Sequence, residues 1–76
     1  MKAPEKHSVM IAGHRTSISL EPEFWDALCE IAASQNESAA GLLAQIDQTR
    51  EDRNLSSAAR VYVLKWLKSA KPVGTD

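Results

Sequence analysis

Arg15, Ser17 and Ser19 stand two residues apart in the stretch His14-Arg15-Thr16-Ser17-Ile18-Ser19-Leu20. On an extended strand that spacing turns all three to one face and Thr16, Ile18 and Leu20 to the other. A guanidinium carries five N–H donors in a fixed fork, and a serine hydroxyl both donates and accepts. A row of such groups suits recognition by hydrogen bonding rather than bond making. Charge is distributed in the same sense. Residues 1–20 carry Lys2, Lys6 and Arg15 against Glu5, a net +2, with His7 and His14 able to add to it. Residues 21–59 carry eight carboxylates against Arg50 and Arg53, a net −6, and residues 60–76 return to +3. The overall charge of −1 argues mildly against a polyanion as partner. The position of the basic end argues for one, because a footprint depends on where charge sits.

Other chemistry finds little support. His7 and His14 have no third ligand near them in sequence, so no metal is expected, and no cofactor. Cys29 is the single cysteine. It excludes an internal disulfide, sits on the apolar side of a helical stretch, and has no sequence neighbour to activate it. Glycine-rich phosphate loops, nucleophile elbows and paired-carboxylate motifs are absent. No catalytic residue is expected, and the chain is not expected to be an enzyme.

These side chains need elements to position them. With 76 residues there is room for one domain, which buries only about 60% of the surface its unfolded chain exposes. At 43% hydrophobic and 25% charged, with 3 Gly and 3 Pro, the composition excludes global disorder. No apolar run approaches the roughly 20 residues of a membrane span, and the N-terminus has no signal-peptide core, so a cytoplasmic protein is expected. Residues 1–8 read as a flexible arm, residues 9–70 as the domain, and residues 71–76 as a tail. Gly13 marks a bulge or turn between Val9-Met10-Ile11 and the strand at 14–20; a hairpin through Ala12-Gly13 is open, though that dipeptide is a weak turn signal.

The rest is helical. Glu21-Pro22-Glu23 suits a helix start, and Phe24, Leu28, Ile31 and Ala32 then recur at helical spacing. Ser38 reads as the N-cap of a second helix with Leu42, Leu43 and Ile46 on its apolar side. A third helix, about 55–70, places Ala59, Val63, Trp66 and Leu67 on one stripe. Val61, Tyr62 and Leu64 make it apolar nearly all round, which predicts burial and favours added dimer interface. The fold class is mainly α with one short N-terminal strand. A lone strand cannot satisfy its edges, so pairing with a second chain about a two-fold axis is expected.

This order resembles the ribbon-helix-helix family of Arc/MetJ type over His14 to about Thr49. The strand end Ser17-Ile18-Ser19-Leu20 runs into Glu21-Pro22-Glu23-Phe24, and Ile31 to Ser38 is similar to the family's junction between helices. The stretch Ile11 to Glu21, with Asn54-Leu55-Ser56-Ser57-Ala58, also resembles a small bacterial subgroup whose third helix exceeds the minimal unit. The resemblance implies an intertwined homodimer with a two-stranded antiparallel ribbon shared between subunits, entering the major groove of double-stranded DNA as a transcriptional regulator or repressor. It implies base contacts from Arg15, Ser17 and Ser19, and phosphate contacts from Ser38 with the amides of Ala39 and Ala40, joined by Lys6 and His14. Ile18, Leu20, Phe24, Trp25, Leu28, Ile31, Leu43, Ile46 and Trp66 would form the dimer core. Two other functions fit the same sequence: the antitoxin of a toxin–antitoxin pair, against which the short tail counts, and a dimeric protein-binding adaptor that uses the acidic helices or the third helix. Higher-order assembly on DNA is compatible with all of this, and a membrane partner is not.

Overall fold

The structure, a computed structural model, describes residues 3–70. It contains strands β1 (Glu5–Ile11) and β2 (His14–Leu20), then helices α1 (Pro22–Ser34), α2 (Ala39–Thr49) and α3 (Leu55–Ala70). The strands pair antiparallel within the one chain, from Glu5 opposite Leu20 to Ile11 opposite His14. Only Ala12 and Gly13 lie between them. Both have positive φ, 52° and 81°, as a two-residue type I′ hairpin turn requires. Gly13 accepts this without penalty; Ala12 carries its Cβ into the left-handed region.

Two expectations are corrected here. Residues 5–8 belong to β1, so the arm expected over residues 1–8 is not an arm at that point, and Met1 and Lys2 lie outside the described residues. Nor is β2 a lone strand, because its first neighbour is β1 and not a second copy. The physical reason is His7. In β1, His7, Val9 and Ile11 face inward while Lys6, Ser8 and Met10 face out. His7 fills an apolar position by stacking flat on Trp25, ring centroids 3.8 Å apart and planes 7° from parallel. A polar residue at an inward position hides the alternation.

The helix boundaries have local causes. Pro22 opens α1 after an extended Glu21. Its end is a Schellman turn, with Asn36 at φ 58°, Glu37 N–H donating to the Ala32 carbonyl and Asn36 N–H to that of Ala33. Ser38 caps α2 by accepting from the Gly41 N–H at 2.9 Å. Asn54 does the same for α3, its Oδ1 accepting from the Ser57 N–H at 2.8 Å. Between α2 and α3, Arg50 ties the loop down through Asp47 at 2.6 Å and the Arg53 carbonyl at 2.7 Å.

One core joins the inner face of the hairpin to all three helices. It comprises Ile11, Ile18, Leu20, Leu28, Ile31, Ala32, Leu42, Leu43, Ile46, Ala58, Ala59 and Val63. Of the residues assigned to a dimer core, Ile18, Leu20, Leu28, Ile31, Leu43 and Ile46 are thus buried inside a single chain, and their burial calls for no second copy. Phe24, Trp25 and Trp66 are half-buried against this core. Burial of α3 within the single chain is one-sided. That helix packs on α1, α2 and β2 with one side only, leaving Leu64 and Leu67 55% and 51% exposed. The expected tail, 71–76, lies outside the described residues.

Candidate nucleic-acid interface

Alternation along both strands gives the hairpin an outer face of three rungs: Lys6 opposite Ser19, Ser8 opposite Ser17, and Met10 opposite Arg15. Five of these residues are exposed, and Ser19 is half-buried. The structure therefore brings Arg15, Ser17 and Ser19 onto one surface and adds Lys6 beside them. Ser8 and Met10 also lie on this surface, and sequence reasoning missed them. The signal was the period-two pattern through Val9 and Ile11, interrupted by His7. Met10 is 54% exposed, a large apolar side chain next to a guanidinium.

No carboxylate belongs to this face. Two acids flank it in sequence: Glu5 precedes Lys6 and is exposed at the start of β1, whereas Glu21 follows β2 directly and is engaged by Arg60 of α3, with Nε donating to Oε1 at 2.9 Å and Nη2 to Oε2 at 3.3 Å. That hydrogen-bonded pairing holds the Glu21 carboxyl below the ordinary carboxylate range. The exposed acids Glu23, Asp26 and Glu30 follow one side of α1. The outer face itself is thus free of carboxylates, and of the two acids that flank it Glu21 is neutralised by Arg60.

The other assigned contacts are placed differently. His14 is exposed beside the turn, where it lines a depression with Asp47 of α2 and Arg50, which caps that helix. These two belong to the C-terminal end of α2, while Ser38, Ala39 and Ala40 form its N-terminal end, some 15 Å away at about 1.5 Å per residue. No hydrogen bond or ion pair among the described residues joins Ser38, Ala39 or Ala40 to the hairpin. A carboxylate from the residue before the N-cap also lies against the first turn of α2. Glu37 folds over Gly41, where an added Cβ would fall 2.6 Å from it, and accepts from Gln45 Nε2 at 3.0 Å. Burial, and then the charge of Asp26, pushes the Cys29 thiol up from its ordinary range, which disfavours the thiolate. Among the described residues no helix is long and apolar enough to cross a membrane.

A hairpin with a polar, basic outer face, backed by helices on its inner side, defines a class of small ribbon-bearing helical domains. The chain belongs to the ribbon-helix-helix family, whose domain model matches residues 4–67. That match includes β1 and most of α3 as well as the strand, helix and helix that resemble the minimal unit. No curated protein and no solved structure matches the chain. Ribbon-helix-helix domains are generally those of DNA-binding regulators and are typically not enzymes.

Proposed function

We propose that the protein is a cytoplasmic homodimer that binds double-stranded DNA in a sequence-specific way and regulates transcription as a repressor. One observation carries the reading: the outer face of the hairpin presents Lys6, Arg15, Ser17 and Ser8, whose side chains make no hydrogen bond or ion pair among the described residues, and no carboxylate stands among them. The major groove is about 12 Å wide and accepts a β-ribbon. There Arg15 donates both arms of its fork to the O6 and N7 acceptors of guanine, and the serine hydroxyls take either sense of hydrogen bond. Lys6 neutralises phosphate, which positions the ribbon without specifying sequence. His14 and the amino end of α2 (Ser38, Ala39 and Ala40) reach phosphates farther along the duplex. The second copy joins at the outer edge of β2. Exposed Leu64 and Leu67 favour a second reading, in which α3 also docks a protein partner.

Selection from a random double-stranded DNA library, followed by anisotropy on the winners at two salt concentrations, tests the proposal. Enrichment of a short palindromic or tandem site, with affinity falling steeply in salt, is expected. Folded protein that enriches nothing and binds without salt dependence refutes it in favour of the protein-binding adaptor.

A further inference from the structure

The outer edge of β2 stops short. Hydrogen-bonding directions alternate along an antiparallel strand. The Ser19 N–H donates away from β1, to Ser56 Oγ at 3.0 Å, and its carbonyl accepts from Arg60 Nη2 at 3.4 Å. By alternation the backbone groups of Ser17 and Arg15 point to that same outer side, while those of Ile18, Thr16 and His14 point to β1. Ser19 is therefore satisfied by α3, with Arg60 itself held by Glu21. Among the described residues nothing bonds the outer edge of Arg15 or Ser17. Beside that open stretch lies a depression of about 450 Å³ between β2 and the start of α3, lined by Thr16, Ser17, Asn54 and Leu55 among others.

We propose that Ser56 and Arg60 are positioning residues that set the register in which the β2 strands of two copies meet. The proposal rests on the dimeric DNA-binding reading above. Two outer edges of this kind are self-complementary about a two-fold axis, antiparallel, and the axis can fall on Thr16 or on Ser17. On Thr16, Arg15 of each copy faces Ser17 of the other, and two hydrogen-bonded pairs form. On Ser17, one pair forms at the axis, and two more would need Ser19, whose edge groups α3 has taken. With the α3 clasp closed, the Thr16 register makes more bonds; with it open, the Ser17 register does.

Register decides what the ribbon reads. At about 3.4 Å per residue the two Arg15 side chains are offset by roughly 7 Å along the strands in the Thr16 register and roughly 14 Å in the Ser17 register. Those offsets differ by about two base-pair rises of 3.4 Å. Ser56 and Arg60 touch no base, yet they determine half-site spacing.

The test uses the full chain with Cys29→Ser, carrying either Thr16→Cys or Ser17→Cys, each with and without Ser56→Ala and Arg60→Ala. On the axis, residue 16 forms a non-hydrogen-bonded pair with Cα atoms about 4.5 Å apart, within disulfide range. Oxidation is expected to cross-link the Thr16→Cys dimer and not the Ser17→Cys dimer. Opening the clasp is expected to move the cross-link to position 17 and to lengthen the selected site by about two base pairs. Circular dichroism on each variant, and Ser56→Ala alone, keep loss of fold distinct from loss of register. A dimer that cross-links at 17 with the clasp intact, at 16 with it removed, or at neither, overturns the register proposal and leaves dimeric DNA binding standing. A protein that stays monomeric with and without DNA overturns both.

Discussion

Arg15 and Lys6 sit on the same face two rungs apart, and the functional reading gives them different work, so replacing each with alanine separates reading from positioning. A dimer presents two of each. Loss of a bidentate contact to guanine costs about 1–3 kcal/mol, so Arg15→Ala removes about 2–6 kcal/mol from binding to a selected site. At 1.4 kcal/mol per decade that is roughly 30-fold to more than 10⁴-fold. Binding to scrambled DNA of the same length should fall far less. Lys6→Ala should weaken both DNAs alike and lower the log–log salt slope by about 1.8, from about 0.9 per phosphate contact in each copy. Anisotropy titrations on selected and scrambled duplexes, across a salt series, measure all of this. Equal losses on the two DNAs for Arg15→Ala, or a specificity change for Lys6→Ala, would refute the assignment of Arg15 as the reader.

The remaining predictions concern the scaffold. Ala12→Asn creates the Asn-Gly turn that φ values of 52° and 81° favour, and relief of part of the left-handed penalty should add about 0.5–1 kcal/mol, seen as a rise of roughly 2–8 °C in Tm. Trp66 packs half-buried on its own chain, so Trp66→Ala should cost about 1.5–3 kcal/mol in urea unfolding, less than a fully buried tryptophan. Dimer dissociation should stay unchanged, and a dimer lost while the fold survives would place α3 in the interface instead. Because Arg60 lowers the Glu21 carboxyl in the folded chain, its stabilisation is present above the unfolded carboxylate value and fades as pH falls through the lower folded one. Acid unfolding of Glu21→Gln should therefore lack that contribution at neutral pH and converge with the parent chain in strong acid; parallel curves at all pH would show that the pair stabilises nothing.

Much of this molecule is written locally. Pro22 after an acidic, extended residue, Ser38 before an apolar period and Asn36 in a left-handed turn each act through bonds to residues within a turn of them. For the same reason the β2 alternation suffices to put Arg15, Ser17 and Ser19 on one face, whatever the strand pairs with. Its partner is another matter. β1 was hidden by His7, whose inward position makes sense only once Trp25 of α1 lies flat against it. Ala12-Gly13 folds as a tight turn because the strands on either side close it, at the cost of a strained alanine. The placement of Glu37 over Gly41 likewise needs the helix junction to be formed.

Periodicity, capping and turn chemistry act over a few residues, so the chain's local order suffices for the helices and the polar face of β2, while the ribbon-bearing class was legible through resemblance to a known family. Tertiary structure alone decided that β2 pairs first within its own chain, that the assigned dimer core is largely a monomer core, and that Leu64 and Leu67 stay exposed. It also decided that Ser19 is clasped by Ser56 and Arg60, across separations of 37 and 41 residues. Contacts at such distances depend on how whole elements pack, and no window along the chain contains both partners.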